Sequence, residues 1–246
     1  LSIPSDLSSL LHKGLWRSVG SLGIKVATAG LTYFTYVVLS RTMSVDEYGH
    51  FAFGMALATV LAIAAGVGQP TAILRLWSQE IVAGRKAAAI AAVQAGSVLT
   101  VLAGLAIALT LCLLVWLWVL YLPVTDTANH FYGAAFLVLP MALAEYNSSA
   151  LRAQGSLWTA LLPRDILWRI ALPATVVALF SVGVVLSGPD ALVLSAALLS
   201  GALAVQFWTA MRRDYVLSPV VGVTAPYWRQ WGGISRWLLL GALIET

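Results

Sequence analysis

Charge is scarce in this sequence. Only 10% of its 246 residues are Asp, Glu, Lys or Arg, against roughly 25% in an average globular chain. So few charges cannot solvate a closed surface, which excludes an ordinary soluble domain. Cysteine is scarcer still. Cys112 stands alone within an apolar run, so neither a disulfide framework nor a thiolate metal site can form. His12, His50 and His130 lie far apart, in no metal-ligand spacing. Gly66-Val67-Gly68 and Gly232-Gly233 lack the strand, helix and lysine of a phosphate loop. With no CxxC and no nucleophile motif, the chain reads as a non-enzyme without a cofactor.

What is present is apolar. Hydrophobic residues make up 60% of the chain, with a mean hydropathy of +0.89, and several runs approach the ~20 residues that cross a bilayer. The net charge of +4 points away from nucleic acid, because its cations fall in short segments between apolar spans. That placement is the topological signature of membrane proteins.

The pattern predicts an all-α integral membrane protein with six transmembrane helices, over 15–39, 51–69, 87–120, 131–151, 166–186 and 190–210. Residues 1–13 read as a polar surface lead, and 70–86 as a charged loop. The run 87–120 would span roughly 50 Å as one helix, more than the ~30 Å hydrocarbon core. No Pro, Asn or Asp interrupts it, so one long helix is expected. Trp116, Trp118 and Tyr121 mark an aromatic belt at its far end. Gly188-Pro189-Asp190 is a turn signal between the last two helices.

Residues 1–211 thus form a six-helix lobe, 212–234 a basic connector with Arg212, Arg213 and Arg229, and 235–246 the start of a seventh helix. Most cations, among them Arg85, Lys86, Arg152, Arg164, Arg169 and Arg212, fall on the side of the amino terminus. Only Arg41 falls among the opposite loops. By the positive-inside rule the amino terminus is cytoplasmic. The chain begins with Leu and ends within an apolar run, and reads as a fragment.

Polar residues enter the membrane at two places. In helix 1, Ser18, Ser21, Lys25, Thr28, Thr32 and Thr35 share one face at helical spacing, opposite Gly20, Gly23, Ala27 and Gly30. The hydroxyls serve either helix-to-helix and backbone hydrogen bonds or a cavity. Lys25 either snorkels to the headgroups or lines that cavity. A bare cation at mid-membrane costs about 2.5–3.5 kcal/mol even on the permissive insertion scale, and its depth favours the cavity. In helix 4, Glu145 stands with Ser148, Ser149 and Arg152 on one face. It reads as a structural ion pair with Arg152 or Lys25, or as a coupling site. Arg41 and Arg75 flank the second helix. Each either anchors a helix end, the favoured reading, or offers its planar fork of donors to a phosphate. Pro140 and Pro173 interrupt helices 4 and 5 and free backbone carbonyls.

The stretch from Ser40 to Glu80 carries a resemblance. Arg41-Thr42-Met43, Glu47-Tyr48-Gly49, Gly68-Gln69-Pro70 and Leu74-Arg75 are similar to the opening of Wzx-type polysaccharide and O-antigen flippases. These belong to the MOP (MATE-like) exporter superfamily. The chain departs from that opening at Ser40, at Met43-Ser44 and at Gln69-Pro70. The resemblance implies the amino-terminal lobe of a MATE-like transporter of twelve or fourteen helices in the bacterial plasma (inner) membrane. Its cargo would be an undecaprenyl-diphosphate-linked oligosaccharide, flipped by alternating access, with Lys25, Ser21, Thr28, Thr32, Arg41 and Arg75 as substrate contacts. Implied partners are that lipid-linked oligosaccharide, membrane lipids and other polysaccharide-assembly proteins. Two other functions compete. One is a MATE-like cation-coupled multidrug exporter, which an acidic cavity would favour. The other is an integral-membrane glycosyltransferase or polymerase, which short, nearly uncharged external loops disfavour.

Overall fold

The computed structural model describes residues 5–121 and 128–218, with side chains from Val19 onward, Ser21 excepted. The expected start of a seventh helix and most of the basic connector lie outside these residues. Among the described residues there is no strand. The helices are α1 (Ser5–Thr42), α2 (Val45–Ala65), α3 (Gln69–Val82), α4 (Lys86–Tyr121), α5 (Asn129–Ala153), α6 (Leu157–Leu161), α7 (Trp168–Ser181) and α8 (Gly188–Met211). A six-residue π turn, Leu162–Leu167, joins α6 to α7 without a break.

Among the described residues, five spans are long and apolar enough to cross a membrane: Leu22–Thr42, Val45–Val82, Lys86–Tyr121, Asn129–Ala153 and Gly188–Met211. The architecture is that of a multi-pass membrane protein. The fifth expected helix, 166–186, is offset: the helical run covers 157–181 with the π turn inside it, and it is not among those five spans. Gly183, at φ 83°, closes that run.

Two expectations change. The polar lead 1–13 is helical from Ser5, as the first turns of α1. The charged loop 70–86 is mostly α3, a 14-residue helix. Its Gln69, Ala72, Ile73, Leu76 and Glu80 are buried in one stripe against α4 and α5. Arg75, Ser78 and Gln79 point outward, so its polarity is that of an amphipathic helix rather than a loop. Glu80 is nonetheless satisfied, accepting two hydrogen bonds from Arg85 at 2.7 and 3.1 Å. Between α2 and α3 the backbone turns left-handed at Val67 (φ 47°) and Gly68 (φ 69°). The valine adopts a conformation costly to β-branched residues.

Helix α5 is the centre of the bundle. It packs against α2, α3, α4, α6 and α8 and buries residues on all sides over its carboxy-terminal half. Tyr146, wholly buried, donates its hydroxyl to the Val93 carbonyl of α4 at 2.6 Å. Its ring fits only because position 96 is glycine, since a Cβ there would lie 2.5 Å from the phenol oxygen. Helix α4 runs unbroken for 36 residues and exposes Leu105, Leu109, Leu113 and Trp116 outward.

The ends of the helices are tied together. Ser44 caps α2 by accepting from the Glu47 amide, the first half of a capping box. At that end the Glu47 carboxylate accepts from the Gly188 amide at 2.5 Å, and His50 stacks on His130 at 4.9 Å. At the opposite end Gln154 exchanges hydrogen bonds with Val216 at 2.9 and 2.8 Å. The α1–α2 and α7–α8 turns therefore share one end, with the start of α5.

Candidate functional site

Two neighbouring cavities open inside the bundle. The larger, of about 340 Å³, lies where α2, the start of α3, α5, the π turn and α7 converge. The smaller, of about 150 Å³, lies between α1, α2, α5 and α7. Both are bordered by Thr59, Met141, Trp168 and Arg169. Three local features shape the space. At the Gly66–Gly68 break between α2 and α3, Gly66, Gly68 and Thr71 line the wall. The π turn widens the helix at Arg164. The third feature is α1, which packs chiefly on α7 and touches α2 only lightly.

The charges inside are two arginines and one carboxylate. Arg164, on the π turn, meets Glu145 of α5 at 2.6 Å, with 30% and 43% of the side chains exposed. Asp165 lies 3.5 Å from the Arg164 Nε. Arg169 donates to the Thr32 hydroxyl of α1, sits 5.3 Å from the centre of the Trp168 ring, and keeps its Nε buried without a partner among the described residues. Trp168 is fixed by its indole N–H, which donates to the Ser195 carbonyl of α8 at 3.1 Å. The site therefore offers a guanidinium with an unused donor, an aromatic face and hydroxyls inside an apolar bundle. That set matches an anionic, hydroxyl-rich ligand.

Proline explains why α1 carries its hydroxyls. In an α-helix the Arg169 carbonyl would accept from residue 173, and Pro173 has no N–H to give. The Thr35 hydroxyl, already donating to Leu31 O at 2.8 Å, stands 3.4 Å from that carbonyl. Thr28 donates to Ile24 O at 2.7 Å and reaches the Asp165 carbonyl at 3.4 Å. All three helix 1 hydroxyls thus donate to backbone, Thr32 to Thr28 O at 2.6 Å, and Thr32 and Thr35 both border the smaller cavity.

The other expected residues scatter. Lys25 is exposed and borders neither cavity. The Ser21 side chain lies outside the described ones. Arg41 is exposed at the end of α1 and Arg75 on the outer face of α3. Arg152 does not pair with Glu145; it donates to Ser148 O at 3.3 Å and Ser149 Oγ at 3.0 Å. Gly20, Gly23 and Gly30 of α1 face open space. Sequence reading did not single out Arg164, Trp168 or Arg169 as site residues. The available signal was the cluster Arg164-Asp165-x-x-Trp168-Arg169 just after Pro163, at the edge of an apolar span.

No family model, curated protein or solved structure matches the chain.

Proposed function

We propose that this chain is a six-helix lobe of a polysaccharide-export flippase, with the run 157–181 as its fifth crossing, between α5 and α8. It would carry an undecaprenyl-diphosphate-linked oligosaccharide across the bacterial plasma membrane by alternating access. The observation that carries the reading is the pair Arg164 and Arg169 on one cavity wall, beside Trp168 and the hydroxyls of Thr32 and Thr59. Glu145 and Asp165 both lie against Arg164, while the buried Arg169 Nε keeps a donor without a partner among the described residues, and a charged contact there is stronger than in water. A diphosphate supplies the matching charge. Aromatic and hydroxyl groups suit sugar, and the lipid tail remains in the bilayer. Binding between two related halves is the general design of such carriers. The drug-exporter alternative loses ground because the one cavity acid, Glu145, is occupied by Arg164.

The test is deletion of the gene in its native bacterium. Lipid-linked oligosaccharide is expected to accumulate in the inner leaflet while surface polysaccharide falls. Loss of surface polysaccharide without that accumulation would sink the flippase reading.

A further inference from the structure

Arg164 and Arg169 are five residues apart, and in a regular α-helix that places them about 140° apart around the axis. They nevertheless border one cavity. The difference is the π turn between them, whose i→i+5 pattern adds a residue to the turn and brings positions i and i+5 onto one face. A π turn leaves backbone carbonyls misaligned, and something must satisfy them. Here the Thr159 carbonyl would ordinarily accept from residue 163, and Pro163 has no N–H. Gln206 of α8, buried completely, reaches across and donates its amide to Thr159 O at 3.1 Å and to Ala160 O at 3.0 Å. The Gln206 amide oxygen is buried without a partner among the described residues, so its donors are what the position uses.

We infer that Gln206 and Pro163 hold the π turn in place, and that Gln206 is thereby a positioning residue for the cationic wall made by Arg164 and Arg169. This rests on the anionic-ligand reading above, but the geometric half stands apart from it. Gln206 borders neither of the two cavities; it acts through the backbone of α6. Without its donors Thr159 O and Ala160 O are left open and the turn is no longer held wide; with an N–H at position 163 as well, relaxation to α-helix swings Arg164 away from Glu145 and from the Arg169 face.

The experiment uses the chain in nanodiscs in a Cys112→Ala background. Glu145→Cys with Arg164→Cys is bridged by a short bis-thiol-reactive linker, which reads the register of the π turn. His50→Cys with His130→Cys at the far end serves as the control for an intact bundle. Gln206→Leu alone is expected to lower the melting temperature and the 145–164 linkage, while Gln206→Leu with Pro163→Ala recovers the melting temperature. In that double variant the N–H of residue 163 takes Thr159 O in α geometry, so the bundle is stable but the linkage stays low. Affinity for inorganic pyrophosphate, measured with Glu145 and Arg164 intact, should fall roughly tenfold, as for one lost charged contact. Wild-type 145–164 linkage in the stable double variant overturns the positioning role. Lost linkage with unchanged pyrophosphate affinity confirms the positioning role and removes the anion site from the proposed function.

Discussion

Arg164 and Glu145 meet at 2.6 Å across the larger cavity, although Arg152 stands two turns from Glu145 on the same helix. Seven residues along a helix is about 10 Å, and Arg152 spends its donors on Ser148 and Ser149. The partner comes instead from the π turn, and the pair ties α5 to the segment that carries the cationic wall. An anion entering the cavity competes with Glu145 for that guanidinium.

Neutralising the competitor should therefore strengthen anion binding. For a half-exposed pair the gain is about 1 kcal/mol, or roughly fivefold. Titration calorimetry with pyrophosphate is expected to show tighter binding by Glu145→Gln and no change for Arg152→Ala. Weaker binding by Glu145→Gln would mean that the carboxylate orients Arg164 for the ligand rather than masking it.

Arg169 and Lys25 should separate sharply in function. Arg169→Ala removes a planar donor fork at the junction of the two cavities and is expected to abolish most surface polysaccharide. Arg169→Lys should recover little, because a point charge cannot bond Thr32 and a ligand through one plane. Lys25→Ala, on an exposed face, should retain most export at equal membrane levels. Immunoblotting of surface polymer decides it, and the reverse ranking would return the anion contact to helix 1.

Two glycines should respond in opposite directions. Gly96→Ala drives a methyl into the Tyr146 ring and strains its bond to Val93, costing roughly 1–3 kcal/mol. Gly23→Ala meets nothing within 4 Å and should stabilise α1 by about 0.5–1 kcal/mol. Thermal unfolding in detergent reads both. An unchanged midpoint for Gly96→Ala would show that the α4–α5 contact is looser than described.

Thiol labelling in a Cys112-free background tests the arrangement of the ends. Cysteines at 44–46 and 185–187 should react from the outside of intact cells, and those at 84–86, 154–156 and 213–215 only after permeabilisation. Labelling of 154–156 from outside would invert or break the proposed topology.

Properties that depend on one dimension of the chain were readable from it. A run of more than thirty apolar residues without a breaker becomes one helix, α4, because nothing competes with its backbone hydrogen bonds. Scarce charge and long apolar spans determine a helical membrane protein, since only there can so much apolar surface remain outward. Proline spacing even foreshadows where carbonyls go free, although not what takes them up. The rest required neighbours. Polarity over 70–86 reads as a loop until α4 and α5 supply the surface that α3 covers with Ala72, Ile73 and Leu76. Lys25 is the most conspicuous intramembrane cation in the sequence, yet the packing of α1 on α7 turns it outward and turns Thr32 inward. Arg164 and Arg169 are five apart, a spacing that ordinary helix geometry separates. Only the π turn, held by a glutamine about forty residues later, places them together, because helix phase is set by backbone partners from other helices.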